Sequence, residues 1–180
     1  MTSHNPQTKL FNRKNFIMFS ICLILSLNTS LIKNAYSKQH DESNIQNVAL
    51  QGDKALSEML NRHKGKVIYL DFWASWCVPC RKSFPWMNSM QQMYKKDGFV
   101  VIAVNLDAEY ESAQDFLKNN ATTFEIIYDP TGETPKKYGV KGMPTSYLLG
   151  RDGKVKIAHT GFFTKKKTQY EKEIQALLKN

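Results

Sequence analysis

The chain has 180 residues, of which 42% are hydrophobic and 12% aromatic, enough for one domain with a buried core plus an extension. Its formal net charge of +9 is inflated by Lys9, Arg13, Lys14 and Lys33, since no acidic residue precedes position 38. No basic block carries interleaved aromatic residues, which argues against nucleic-acid binding. The three cysteines, at positions 22, 77 and 80, are too few for a scaffold held together by disulfides.

The N-terminal segment is predicted to be a targeting sequence. A positively charged start is followed by an apolar run over residues 16–27 and by a small-x-small triplet that ends at Ser37, the order found in signal peptides. A retained anchor, with membrane attachment through residues 16–32, stays open as the alternative. Either outcome places the rest of the chain outside the cytoplasm. The predicted boundaries are 1–37 for the signal peptide or anchor, 38–49 for a polar linker and 50–180 for the folded domain.

The central strand is predicted from Val67 to Trp73, an apolar, aromatic and β-branched run typical of a strand buried on both faces. A tight turn follows it, and then a helix from about Val78 to Lys96. Further patterns predict helices at 53–62, 112–119, 134–138 and from Thr168 with a capping box to Glu171, and strands at 99–105, 124–128, 145–149 and 155–160. This order predicts an α/β fold with a mixed central sheet flanked by helices.

Cys77 and Cys80 lie at the start of the predicted long helix, one turn apart. A thiol at a helix N-terminus meets unpaired backbone N–H groups and the positive end of the helix dipole, which favour the nucleophilic thiolate. The two cysteines are also close enough to form a Cys77–Cys80 disulfide. A purely structural disulfide or half of a zinc site is the alternative. Zinc normally needs four ligands, and no other cysteine or suitably spaced histidine is present. No metal and no cofactor are predicted.

Two motifs carry a resemblance to a known family. Trp76-Cys77-Val78-Pro79-Cys80 resembles the thioredoxin active site, and its Val-Pro pair resembles the TlpA/ResA group of membrane-linked thiol–disulfide oxidoreductases. Gly142-Met143-Pro144-Thr145 resembles the cis-proline loop of the same superfamily, while Pro85 and Gly161 match a helix-kinking proline and a late glycine. The resemblance implies a thioredoxin-like fold with a TlpA-like insertion, near residues 112–128, between the active-site helix and the cis-Pro loop.

The resemblance also bears on the roles of single residues. Cys77 is expected to attack a partner disulfide and Cys80 to resolve the mixed disulfide. Asp71, six residues before Cys77, matches the buried aspartate of thioredoxin, and a raised pKa would suit proton exchange with Cys80. A merely structural aspartate, satisfied by hydrogen bonds, is the alternative. The residues expected to bind substrate are Trp76, Met143, Pro144 and Thr145. For Trp76, core packing is the alternative. The Met143–Pro144 peptide bond is expected to be cis.

The sequence leaves three functional hypotheses open. The first is an extracytoplasmic protein-disulfide reductase that acts on disulfide-bearing exported proteins, with a membrane thiol carrier as electron donor and cytochrome c or metal-site assembly as its context. The second is a disulfide-introducing oxidase with the same fold. The third is a non-catalytic binding module or metallochaperone. The expected location is the periplasm or the outer face of the cytoplasmic membrane.

Overall fold

A computed structural model describes residues 52–180, so the predictions for the targeting segment and for the linker lie outside the described residues. The first helix, α1, covers residues 52–62 of the described part. The other elements are, in chain order, β1 Val67–Trp73, α2 Val78–Tyr94, β2 Phe99–Asn105, α3 Tyr110–Asn119, β3 Glu125–Tyr128, α4 Glu133–Lys137, β4 Thr145–Leu149, β5 Val155–Thr160 and α5 Lys167–Leu178. Within the described residues, no helix is both long and apolar enough to cross a membrane.

The five strands form one sheet in the order β3-β2-β1-β4-β5. β1, β2 and β3 run parallel, whereas β4 is antiparallel to both β1 and β5. Every residue of β1 and β2 is buried, as expected for central strands covered on both faces. The predicted α/β fold with a mixed central sheet flanked by helices is therefore confirmed.

The side chains of β1 alternate between two hydrophobic clusters on opposite faces of the sheet. One cluster includes side chains of α2, α3 and α5 together with Val67, Tyr69 and Trp73. The other includes side chains of α1 together with Ile68, Leu70 and Phe72. Both cysteines belong to the first cluster, which we call the disulfide-side core.

Aromatic packing holds α2 against the disulfide-side core. The ring of Phe84 contacts those of Trp73 at 4.6 Å, Phe116 at 5.0 Å and Phe124 at 5.6 Å between centroids. Such edge-to-face pairs add to the stabilisation from burial alone. Truncation of a buried phenylalanine of this kind to alanine typically costs about 3–5 kcal/mol. The helix that carries the cysteines is thus firmly anchored.

The loops that form the site lie together at one edge of the sheet, where the ends of the strands meet. The parallel strands β1, β2 and β3 all end there, and the pairing of Phe72 with Thr145 places the start of β4 beside the end of β1. Thr145 also pairs with Thr160, so β5 ends at the same edge. We call this edge, which carries Cys77, the disulfide edge.

The predicted extra segment is present as α3 and β3. β3 has four residues and, among the described strands, pairs in parallel with β2 only, so it is the outermost strand on one side of the sheet. A short edge strand offers few unpaired backbone groups to other chains. Helix α3 contributes Ala113 and Phe116 to the disulfide-side core. The inserted elements therefore extend the sheet and help to cover its disulfide side.

The predicted capping box of the last helix is wrong. α5 already begins at Lys167, after a 3₁₀ turn over Thr164–Lys166, and it has no side-chain cap. The carboxylate of Glu171 instead accepts a hydrogen bond of 2.6 Å from the hydroxyl of Tyr94 on α2. A tertiary contact between two helices has replaced the local hydrogen bond that the sequence pattern suggested.

Candidate active site

The two cysteines form a disulfide at the start of α2, as predicted, with their Cα atoms 5.3 Å apart. Cys77 is the N-cap residue, with extended backbone, and its Sγ accepts a hydrogen bond of 3.3 Å from the backbone N–H of Cys80. Pro79 fits the first turn because a proline there sacrifices no intrahelical hydrogen bond. The sulfur of Cys77 thus lies where a thiolate would gain from the helix terminus.

The two cysteines differ in their exposure to solvent. Cys77 is 5% exposed, whereas Cys80 is fully buried. Next to Cys77, Trp76 is 67% exposed and Val78 is 56% exposed. Core packing of Trp76, the alternative weighed from the sequence, is therefore wrong. The disulfide opens onto an apolar surface that a partner protein could cover.

Asp71 is buried within β1, with 1% of its surface exposed. It lies on the same face of the strand as Trp73, which is the face of the disulfide-side core. Burial raises the pKa of its carboxyl group well above the ordinary value. Among residues 52–180, its Oδ2 atom has no hydrogen-bond partner. The alternative of a carboxylate fully satisfied by hydrogen bonds therefore fails.

The loop before β4 carries the predicted cis peptide bond, between Met143 and Pro144. The hydroxyl of Thr145 donates to the carbonyl of Gly142 at 2.6 Å, and Gly161 N–H donates to the carbonyl of Pro144 at 2.7 Å. Met143 packs against the disulfide-side core, which contains both cysteines. The loop is thus held on the disulfide edge close to the site, and its role in substrate binding remains a prediction.

Sequence reasoning missed Asp107, which holds the turn before Cys77. Asp107 is buried and accepts hydrogen bonds from the backbone N–H and the hydroxyl of Ser75, all between 3.0 and 3.1 Å. The Asn105 side chain donates to the same carboxylate at 2.7 Å. The signal was available in the sequence, because Asn105 ends the buried run of β2 and Asp107 follows two residues later, at the edge where β1 also ends.

Within residues 52–180, no three His, Cys, Asp or Glu side chains are grouped in a way that could hold a metal ion. The site consists of a disulfide at a helix terminus, a buried carboxyl group and a cis-proline loop.

Residues 39–175 match the model of the Redoxin family. The chain belongs to the Redoxin family. Among curated proteins, it is 33% identical over 153 residues to the thiol-disulfide oxidoreductase ResA of Bacillus cereus (strain ATCC 10987 / NRS 248), covering 79% of this chain and 87% of that protein. ResA of Bacillus subtilis (strain 168) is 28% identical, with 87% of each chain covered.

Solved structures agree with this assignment. A Chlorobium tepidum protein assigned as the thiol:disulfide interchange protein DsbE is 55% identical with a TM-score of 0.65, covering 66% of this chain and 84% of that one. StoA of Bacillus subtilis is 35% identical with a TM-score of 0.53, covering 61% and 82%. The chain is a ResA/TlpA-like member of the thioredoxin superfamily. The relatives and the C-x-x-C pair together support thiol–disulfide oxidoreductase activity.

Proposed function

We propose that this protein reduces disulfides in exported proteins through the Cys77/Cys80 dithiol. The observation that carries the proposal is the position of Cys77, whose Sγ accepts a hydrogen bond from a backbone N–H at the start of α2, on the disulfide edge. Cys80 lies one turn further in and is fully buried. This difference supports the assignment of Cys77 as nucleophile and Cys80 as resolving cysteine.

The reaction runs in two exchanges. The Cys77 thiolate attacks one sulfur of the substrate disulfide, forms a mixed disulfide and expels the other substrate sulfur as a thiolate, which takes up a proton. Cys80 then loses its proton and attacks the Cys77 sulfur, so the bond from Cys77 to the substrate breaks. Its electron pair leaves on the substrate sulfur that Cys77 had attacked, and that thiolate also takes up a proton. The protein ends as the Cys77–Cys80 disulfide and the substrate as a dithiol.

Asp71 is proposed to receive the proton of Cys80 in the second exchange. It lies on the face of β1 that is packed with the disulfide, and burial raises its pKa well above the ordinary value for an aspartate. In an Asp71→Asn variant, we expect slower release of the mixed disulfide. Unchanged release between mildly acidic and mildly alkaline pH would leave Asp71 with a structural role only.

The substrate is proposed to dock on the apolar surface around the disulfide. Trp76 offers an exposed ring beside Cys77. On the neighbouring loop, Met143, Pro144 and Thr145 would present backbone groups to an extended segment of the substrate, in the manner of an added strand. Their position on the disulfide edge supports this role.

The proposed location is outside the cytoplasm, on either the signal-peptide or the anchor hypothesis for residues 1–37. An exported reductant needs a source of electrons, and a membrane thiol carrier is the proposed donor. Cytochrome c or metal-site assembly is the proposed context. When residues 1–40 are fused to a reporter that is active only outside the cytoplasm, we expect reporter activity. An inactive fusion would contradict the proposed export.

Insulin reduction tests the activity, with Cys77→Ser as the inactive variant. Loss of turnover in that variant supports the dithiol mechanism. Equal turnover in both proteins, or none in either, would favour the binding module or metallochaperone. A Cys80→Ser variant should accumulate mixed disulfides in cells, and the trapped partners identify the substrates. The reduction potential separates the disulfide-introducing oxidase from the reductase.

A further inference from the structure

Three polar side chains form a row across the sheet. The register pairs Asp71 of β1 with Ser146 of β4, and Ser146 with His159 of β5. Residues directly opposite each other on neighbouring strands share a face, with Cβ atoms about 4.5–5.5 Å apart. That face is the disulfide-side core, because Leu148 and Ile157, two residues from Ser146 and His159, pack into it. We call Asp71, Ser146 and His159 the polar row.

Both ends of the polar row carry an unpaired polar atom. Asp71 Oδ2 and His159 Nδ1 are buried, and neither has a hydrogen-bond partner among residues 52–180. A buried polar atom without a partner destabilises the fold, so proteins usually pair such atoms with bound water or use them in chemistry. Ser146, also buried, lies between the two, and its hydroxyl both donates and accepts hydrogen bonds.

The outer end of the polar row lies near solvent, where His159 contacts a carboxylate of α5. His159 Nε2 lies 2.7 Å from Glu173 Oε2 on α5, and the two side chains are 13% and 19% exposed. Because a carboxylate only accepts, the imidazole proton belongs on Nε2, and Nδ1 of the neutral ring is left with a lone pair. His159 can therefore take a proton on its buried nitrogen while Glu173 stabilises the resulting positive charge.

Two tyrosines also face the polar row. Burial, and then the charge of Asp71, raise the pKa of Tyr69 well above its ordinary value, while a hydrogen bond with Ser146 opposes the shift, so the Tyr69 hydroxyl stays protonated beside the middle of the row. On α5, the Tyr170 ring packs on the His159 ring at 4.7 Å between centroids. Gln169 donates to the second oxygen of Glu173 at 2.9 Å, which holds that carboxylate in place.

We propose that the polar row, bridged by bound water, is the route by which Asp71 exchanges its proton with solvent, with His159 and Glu173 at its outer end. The inference rests on the role proposed above for Asp71. After Asp71 accepts the Cys80 proton, the proton passes by way of Ser146 to His159 Nδ1, and the imidazolium releases a proton to water. Asp71 is then ready to act as a base again. Without a polar route, the proton of so deeply buried a group would leave only when the core opens locally.

A pH jump tests the route directly. Reduced protein is equilibrated at a pH below the raised pKa of Asp71, and is mixed with Ellman's reagent in more alkaline buffer above that pKa. The first thionitrobenzoate released reports attack by Cys77, and the second reports attack by Cys80. The same reaction is run with protein already equilibrated at the alkaline pH, in which Asp71 has lost its proton in advance.

His159→Gln is the test variant, because the amide can still bond Glu173 but cannot carry a proton. We expect its second release to be slower by about tenfold or more after the jump, relative to the same variant equilibrated in advance. His63→Gln is the matched control. His63 makes a similar pair with Glu125 at 2.5 Å and also has a buried unpaired Nδ1, but it lies outside the polar row. This control should behave like the unmodified protein.

The comparison between jumped and pre-equilibrated protein excludes a merely structural effect, which would slow both reactions equally. Equal rates in the two reactions of His159→Gln would overturn the inference, as would a delay in His63→Gln. If His159→Gln does not fold, Ser146→Ala replaces it as the test variant, and its second release should again be slower only after the pH jump. Ellman's reagent reports Cys80 attack whatever the natural substrate is. If His159→Gln shows the delay but the unmodified protein does not reduce insulin, this inference stands and the proposed function is wrong.

Discussion

Ser75 donates its backbone N–H to both carboxylate oxygens of Asp107, at 3.0 and 3.1 Å, so the turn that presents Cys77 is tied to the end of the neighbouring strand β2. The Ser75 hydroxyl and the Asn105 amide bond the same buried carboxylate. The orientation of Cys77 therefore depends on a contact between two residues that lie 32 positions apart in the chain.

Replacement of Asp107 should both destabilise the domain and slow the first exchange. Asp107→Ala leaves the Ser75 N–H and the Asn105 amide without their buried acceptor, which should lower the free energy of unfolding by roughly 2–3 kcal/mol. Urea denaturation measures this loss. Asp115→Ala is the control, since its ion pair with Lys118 is exposed and should change stability by less than about 1 kcal/mol. Equal losses in the two variants would contradict the assigned role of Asp107.

Alkylation should distinguish the two cysteines in the reduced protein. Cys77 is the N-cap and is slightly exposed, whereas Cys80 is fully buried. We expect iodoacetamide near neutral pH to label Cys77 first, because the helix terminus stabilises its thiolate. Mass spectrometry of peptides from a short time course locates the label. Faster labelling of Cys80 would reverse the assignment of nucleophile and resolving cysteine.

The stability of the protein should fall with rising pH because of Asp71. Burial raises its folded-state pKa above the unfolded value, so the folded protein binds the proton more tightly. This contribution is fully present below the unfolded pKa and is lost as the pH rises through the raised folded pKa. Asp71→Asn should therefore be more stable than the unmodified protein at alkaline pH, with the advantage shrinking toward acidic pH.

Urea unfolding of both proteins across that range, in the oxidised state, measures the difference. Keeping the Cys77–Cys80 disulfide intact prevents thiol titration from contributing. A stability difference that does not vary with pH would show that the Asp71 carboxyl group titrates normally in the folded protein.

The reduction potential should be that of a reductant. Val78 and Pro79 add no charge beside Cys77, and the first turn of α2 contains no acidic residue, so the thiolate is stabilised mainly by the helix terminus. We expect a value nearer to the ~−270 mV of thioredoxin than to the ~−120 mV of DsbA. Equilibration with glutathione or dithiothreitol measures it. A value above about −150 mV on this scale would favour the disulfide-introducing oxidase.

Local pattern carried most of the fold prediction. The seven-residue runs of β1 and β2 are recognisable because central strands of a covered sheet are apolar throughout. The position of Cys77 at a helix start followed from that strand, the turn and Pro79, all within a few residues of it. β4 and β5 have the predicted bounds for the same reason, since alternation and an intervening turn are properties of neighbouring residues.

Only the tertiary structure determined those side-chain positions and hydrogen bonds that involve residues far apart in the chain. Trp76 faces solvent, and Glu171 bonds Tyr94 rather than capping its own helix, because packing between elements outweighs local preference. The sequence showed Asp71 in an apolar strand, but only the strand register placed Ser146 and His159 beside it. A one-residue shift of β4 would have turned Ser146 to the other face of the sheet, and no local pattern determines that register.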